Sequence, residues 1–197
     1  MTDMEWRIEM EKIKILALFG KSGAGKDTIL KWMVSNIPNV HKIVNCTTRP
    51  KRDYEKDGVD YYFLSIPDFT KRIFYGSMLE ATSFNDWFYG TSIDGLNKDC
   101  LNIGVFNING LEILLEDKRL EVLPVYVDTR DKVRLLRSLE REDNPNCTEI
   151  CRRFLADKQD FSNIPFDYIT IENDNTSDFS KYLEQPDIAD FILGKNE

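Results

Sequence analysis

Residues 13–28 read IKILALFGKSGAGKDT, and the interpretation of the rest of the chain turns on them. Ile13 to Phe19 is a short apolar run that stops at Gly20, as a strand buried in a parallel sheet would. Helical periodicity follows from Lys26 to about Asn36, with Ile29, Leu30 and Met33 on one side. Between strand and helix, Gly20, Gly25 and Lys26 fall at the GxxxxGK spacing of a phosphate-binding loop. The glycines let the backbone curl tightly and aim its N–H groups at phosphate oxygens, and the start of the helix adds its positive dipole end. Lys26 is then expected to reach the β- and γ-phosphates of ATP, with Gly20, Ser22, Gly23, Ala24, Gly25, Lys26, Asp27 and Thr28 lining the donor site. The common pattern has a hydroxyl at position 27 to bind Mg²⁺, whereas this chain has Asp27 followed by Thr28. A carboxylate is also a hard oxygen ligand, so Asp27 is the expected metal contact.

Working outward, Val40–Cys46 reads as a second strand. Residues 49–93 change character: charged turns alternate with Tyr61, Tyr62, Phe63, Phe74, Tyr75, Trp87, Phe88 and Tyr89. They predict a small mixed sheet with one helix near Pro67–Tyr75. Alternation then resumes with a strand over Leu101–Ile108, a helix over Leu111–Asp117, a strand over Glu121–Val127 and a helix over Arg130–Leu139. Asn144-Pro145 breaks the helical signal. A charged helix from about Glu149 to Phe161, a strand over Tyr168–Ile171 and a helix near Phe179–Leu193 follow. Residues 1–12 read as an amphipathic or frayed extension. The pattern predicts an α/β fold, a parallel sheet flanked by helices with an inserted small mixed α+β region. In residue terms the core is 13–48, 94–136 and 162–197 and the insertion is 49–93, with the charged helical stretch 137–161 between the last two core segments.

Composition narrows the function. The 197 residues carry 26 Lys plus Arg against 34 Asp plus Glu, a net charge of −8, which argues against duplex binding. A local basic pocket can still hold an anionic small molecule. No run approaches the ~20 apolar residues of a membrane span, and the charged start lacks the apolar stretch of a signal peptide. A cytoplasmic protein binding small-molecule nucleotides, as monomer or homodimer, is expected. Cys46, Cys100, Cys147 and Cys151 form no CxxC pair and His41 is the single histidine, so neither a zinc site nor a disulfide framework is expected. A hydrolase would have to build its catalytic base on His41, beside a predicted strand start.

Thr47 to Phe63, TTRPKRDYEKDGVDYYF, supplies a second anion site. Arg49 and Arg52 follow a strand three residues apart, and guanidinium forks pair bidentately with the oxygens of a phosphate monoester. Here the sequence resembles the guanylate kinases, whose TTRxPRxGExxGxDYxF segment is matched at Thr47, Thr48, Arg49, Arg52, Glu55, Gly58, Asp60, Tyr61 and Phe63. A second block, Leu79-Glu80 through Phe88-Tyr89-Gly90-Thr91-Ser92, is similar to that family's Leu-Glu…Tyr-Gly-Thr stretch. The ending Gly25-Lys26-Asp27-Thr28 resembles the loops of some bacteriophage deoxynucleoside monophosphate kinases.

The resemblance implies phosphorylation of GMP or dGMP by ATP with Mg²⁺. It implies that Arg49, Arg52, Tyr61 and Tyr89 hold the acceptor phosphate, while Glu80 reads guanine with Gly90, Thr91, Asn45 and Asn109 beside it. A carboxylate accepts from both guanine N1–H and the 2-amino group and repels the ring N1 acceptor of adenine. The resemblance also implies a short helical lid over 137–161: Arg137, Arg141 and Arg153 resemble the arginines of the family's lid, where cations stabilise charge on the transferring phosphoryl group. The chain departs from the family at Asn107 and Asn109, where an Asp-x-Asp pair is usual, and at Lys21, which is often proline. Two other functions remain compatible with these residues: a kinase for a different or modified (deoxy)nucleotide, and a non-catalytic guanylate-kinase-like binding module.

Overall fold

The computed structural model describes residues 12–84, 86–141, 143–174 and 178–194. In chain order the elements are β1 (Ile13–Phe19), α1 (Lys26–Asn36), β2 (Val40–Lys42), β3 (Cys46–Thr47), β4 (Tyr62–Phe63), α2 (Ile66–Phe74), β5 (Met78–Phe84) and β6 (Trp87–Ser92). There follow β7 (Leu101–Val105), α3 (Ile108–Glu116), β8 (Leu120–Asp128), α4 (Asp131–Leu139), α5 (Cys147–Asp160), β9 (Ile169–Glu172) and α6 (Pro186–Leu193). The larger sheet has the order β2-β7-β1-β8-β9 and is parallel throughout. The apolar run that opens the described chain is its central strand, with Leu16 opposite Ile103 on one side and Leu123 on the other. Both faces of β1 are covered. Leu16 and Leu18 pack with Ile29 and Met33 of α1 and with Ile188 and Phe191 of α6, while Ile15, Ala17 and Phe19 pack with Leu111 and Leu114 of α3.

The smaller sheet has the order β4-β3-β6-β5, with β3–β4 parallel and the other pairs antiparallel. It corrects the expectation of one strand over Val40–Cys46. β2 ends at Lys42 in the large sheet, and Cys46 enters the small one. Asn45 is the pivot: its Nδ2 donates to Val105 O at 2.7 Å, its Oδ1 accepts from Thr91 Oγ1 at 3.2 Å, and its carbonyl accepts from Tyr62 N.

Other boundaries shift for local reasons. The strand expected to reach Ile108 stops at Val105, because Asn107 caps α3 by accepting from Gly110 N at 2.7 Å. β8 runs through Pro124, since pairing to β9 begins only at Val125 and the missing N–H breaks no ladder. The last helix is split: a 3₁₀ turn over Ser180–Glu184 precedes α6, which starts on Pro186. Residues 1–11 of the expected N-terminal extension lie outside the described residues.

At the far end of the sheet from the phosphate loop, Asn102 is fully buried in β7. Its Nδ2 donates to Asn97 O, Lys14 O and Cys100 O, and its Oδ1 accepts from Asn97 N. Asn102→Ala strands these groups in the interior, at about 1–3 kcal/mol. For a domain of this size that corresponds to a melting temperature about 3–10 °C lower, read by calorimetry. Nucleotide binding should survive at temperatures where the variant is folded.

Candidate active site

The phosphate loop is fastened from behind so that its N–H groups can face forward. The carbonyl of buried Ala24 accepts from Thr129 Oγ1 at 3.0 Å, Asn173 Nδ2 at 2.7 Å and Arg137 Nη1 at 3.4 Å. Gly25 follows in the left-handed region with φ 92°, and a Cβ there would lie 2.4 Å from Asn173 Nδ2. Only glycine fits this join between loop and helix. At the front, Lys26 Nζ donates to Gly20 O at 2.7 Å and to Lys21 O at 2.9 Å. Desolvation lowers the Lys26 ammonium from its ordinary value, with the charges of Asp27 and Asp157 pulling the other way. Asp27 and Thr28 are exposed at the first turn of α1.

The loop opens into a cleft of about 370 Å³. Gly20, Ser22 and Lys26 line one side, and Asn45, Arg49, Arg52, Tyr61, Glu80, Tyr89, Gly90 and Asn109 are among the residues lining the rest. The structure thus brings most of the sequence-derived donor and acceptor residues to one space. The Arg49–Arg52 side of the cleft is organised by Glu55, a residue that the sequence marks only as part of a motif. Its carboxylate takes both ends of the Arg49 guanidinium, at 2.7 and 3.0 Å, and the Arg52 N–H at 2.8 Å. Burial alone would raise the Glu55 carboxyl, but these hydrogen bonds and the two arginine charges outweigh it and hold it below its ordinary value. Arg49 also lies over the rings of Tyr61 and Phe63, 5.6 and 5.7 Å from their centroids. Tyr61 meets Tyr89 edge to face.

Deeper in the cleft, Glu80 on β5 pairs across the hairpin with Thr91 on β6. Thr91 Oγ1 lies 2.7 Å from Glu80 Oε1. A Cβ on Gly110 would come within 3.0 Å of Glu80 Oε2, so the first turn of α3 presses directly on this carboxylate. Glu80 is 6% exposed, and burial, opposed by the Thr91 hydrogen bonds, pushes its carboxyl up to about 7. Asn107, besides capping α3, donates to Thr82 Oγ1.

The three expected lid arginines separate. Arg153 on α5 lines the cleft and is held by Glu149 Oε1 at 2.6 Å. Arg141 lines a neighbouring cavity of about 260 Å³ that shares Ser22, Arg52 and Arg153 with the cleft. Arg137 turns to the rear of the loop, donating to Ala24 O and to Asp174 O, so its place is behind the phosphate site. The sequence reading missed Thr129, Asn173, Arg134 and Asp157, all of which touch the loop from distant segments. His41 Nε2 meets Gly95 O at 2.9 Å and belongs to the outer strand β2.

This combination of a parallel sheet, a phosphate loop and a facing arginine cradle defines a nucleoside monophosphate kinase of the P-loop class. The chain belongs to the guanylate kinase family, whose model matches residues 12–186. It is 31% identical over 173 residues to the guanylate kinase of Helicobacter hepaticus, covering 85% of this chain and 86% of that one. It is likewise 31% identical over 196 residues to the guanylate kinase of Wigglesworthia glossinidia brevipalpis, covering 95% and 91%. The crystal structure of guanylate kinase from Anaplasma phagocytophilum has the same fold, with a TM-score of 0.65 at 21% identity over 95% of this chain and 89% of that one.

Glu80 gives a test of the site's electrostatics. Because its folded carboxyl is raised above the unfolded value of 4.5, the unfolded chain ionises first and stability is lost as pH rises from there through about 7. Glu80→Gln removes that loss. The variant should gain on the wild type by ~1–3 kcal/mol between pH 5 and pH 8, read as diverging melting temperatures. Parallel curves would mean that Glu80 is solvated.

Proposed function

We propose that the chain transfers the γ-phosphoryl group of ATP to the phosphate of GMP or dGMP, yielding ADP and the corresponding diphosphate. The observation that carries this reading is the buried Glu80–Thr91 pair in the same cleft as the Arg49–Arg52 cradle and the Lys26 loop. Guanine brings two N–H donors to a carboxylate that has lost its water, whereas adenine presents a ring acceptor there. Asn45, Gly90, Thr91 and Asn109 border the base, and Arg49, Arg52, Tyr61 and Tyr89 hold its monophosphate.

An acceptor phosphate oxygen attacks the γ-phosphorus in line, the bond to the β-bridging oxygen breaks, and ADP leaves with that oxygen. Little proton transfer is needed, so catalysis is positioning and charge stabilisation. Glu55 and Pro50 O take the Nη1–Nη2 end of Arg49 and fix its guanidinium, so the acceptor phosphate meets the remaining Nε–Nη2 edge of a group already ordered. Lys26 stands at the donor's phosphates, with Arg153 and Arg141 of the 137–161 lid beside the cleft. Arg137 supports the loop from the rear.

The residues present fit Mg²⁺ of the kind held chiefly by nucleotide phosphates. No group of three or more His, Cys, Asp or Glu able to hold a metal occurs among the described residues, and exposed Asp27 offers one carboxylate at the loop. Bound there, the ion would neutralise phosphate charge.

An ADP-release assay with ATP, Mg²⁺ and a panel of ribo- and deoxyribonucleoside monophosphates tests the substrate. Guanine nucleotides should be turned over selectively, and Lys26→Ala should lower the rate at least ~100-fold with the fold retained by circular dichroism. Preference for another base would reject the Glu80 assignment.

Asp27→Ser tests the metal contact. Losing a hard anionic ligand should shift the Mg²⁺ midpoint several-fold upward and shrink the Mg²⁺-dependent gain in ATP affinity measured by calorimetry. If Asp27 merely favours the helix start, worth about 0.3–1 kcal/mol, only thermal stability should move.

A further inference from the structure

One charged side chain from α5 reaches into the phosphate loop. Asp157 Oδ2 accepts from Ser22 N at 2.9 Å and from Arg134 Nη1 at 2.7 Å, and the same Nη1 donates to Ser22 O at 3.0 Å. Arg134 is 1% exposed, is tied through Nε and Nη2 to Asp131 Oδ1, and lies over the ring of Phe154 on α5. Asp157 thus arrives on a fixed counter-charge. Its carboxylate also lines the cleft and lies close enough to Lys26 to act on its charge.

The N–H groups of such a loop serve to bind anionic oxygens. A carboxylate oxygen on Ser22 N is that chemistry supplied from within the chain. Ser22 also marks a particular end of the site. Lys26, whose ammonium serves the β- and γ-phosphates, rests on the carbonyls of Gly20 and Lys21, immediately before Ser22. The N–H taken by Asp157 is therefore at the terminal-phosphate end of the loop, opposite the helix start. Arg153 stands one turn before Asp157 on the same helix and lines the same cleft.

We propose that Asp157 is a specificity-determining residue for the donor: its carboxylate occupies the loop N–H required by the third phosphate. A nucleoside diphosphate binds with this contact intact, whereas a triphosphate must displace it. Displacement frees α5 from the loop and repositions Arg153, linking the arrival of the third phosphate to the arginine that attends its transfer. This inference rests on the loop being the donor site.

Calorimetry of ADP and ATP binding, without acceptor, to the wild type and to Asp157→Asn tests it. The amide oxygen still accepts from Ser22 N and Arg134 but carries no charge. ATP affinity should rise about tenfold, while ADP affinity changes less than about twofold. Equal changes for the two nucleotides, or a weakening of both, would make Asp157 a strut of the loop and overturn the proposal. Hydrogen exchange on the wild type provides an independent measurement if the variant does not fold. ATP, and not ADP, should speed exchange of the α5 amides, and no ATP-specific change overturns the proposal. A wild type that binds neither nucleotide would refute the donor-site reading itself, and this inference with it.

Discussion

A loop that offers its N–H groups to an anion must dispose of its carbonyls elsewhere, and this constraint organises the molecule. Ala24 O collects donors from Thr129, Asn173 and Arg137, residues that follow β8, follow β9 and lie within α4. Those three segments must converge behind β1 for the loop to hold its shape. The parallel order β1-β8-β9 brings Thr129 and Asn173 to adjacent strand ends, where Asn173 N also bonds Asp128 O. Sheet topology and phosphate chemistry therefore meet at one carbonyl oxygen.

The side of the cleft facing the phosphate loop relies on two buried carboxylates with opposite electrostatics. Glu55 is surrounded by donors and stays readily ionised, which suits a residue that fixes the Arg49 guanidinium and the Arg52 backbone N–H. Glu80 is buried with far fewer partners, and its carboxyl rises to about 7. One carboxylate spends its hydrogen-bonding capacity on the arginine cradle, and the other keeps most of its own unspent in the cleft.

Much of this was legible in the sequence because it is local. The strand, loop and helix from Ile13 to Asn36 follow from hydrophobic period and glycine spacing, and the structure reproduces their limits. The arginine cradle lies within the few residues from Arg49 to Glu55. What escaped is tertiary. Asp157 is 135 positions from Ser22, and nothing in the charged pattern of α5 separates it from its solvated neighbours. Likewise, resemblance and spacing cannot say which face of α4 meets the loop, so the bonds of Arg137 to Ala24 O and Asp174 O were not foreseeable. The break between Lys42 and Cys46 was hidden for a related reason: a short strand-like stretch, VHKIVNC, gives no sign that its two ends belong to different sheets.

The Asn45 pivot has a consequence best expressed by counting hydrogens. With Glu80 ionised, the side-chain oxygens of Asn45, Thr91 and Glu80 face one another with a single hydroxyl hydrogen, that of Thr91, between Glu80 Oε1 and Asn45 Oδ1. The hydroxyl can point to only one of them at a time. Apart from the Thr91 backbone N–H, which also serves Glu80, the cluster is thus rich in acceptors and short of hydrogens. A proton taken up by Glu80 fills the same deficit. Solvent acid and any N–H donor entering the cleft therefore compete for the same oxygens, and the hydrogen inventory of the cluster, open at Glu80, is closed by whichever arrives.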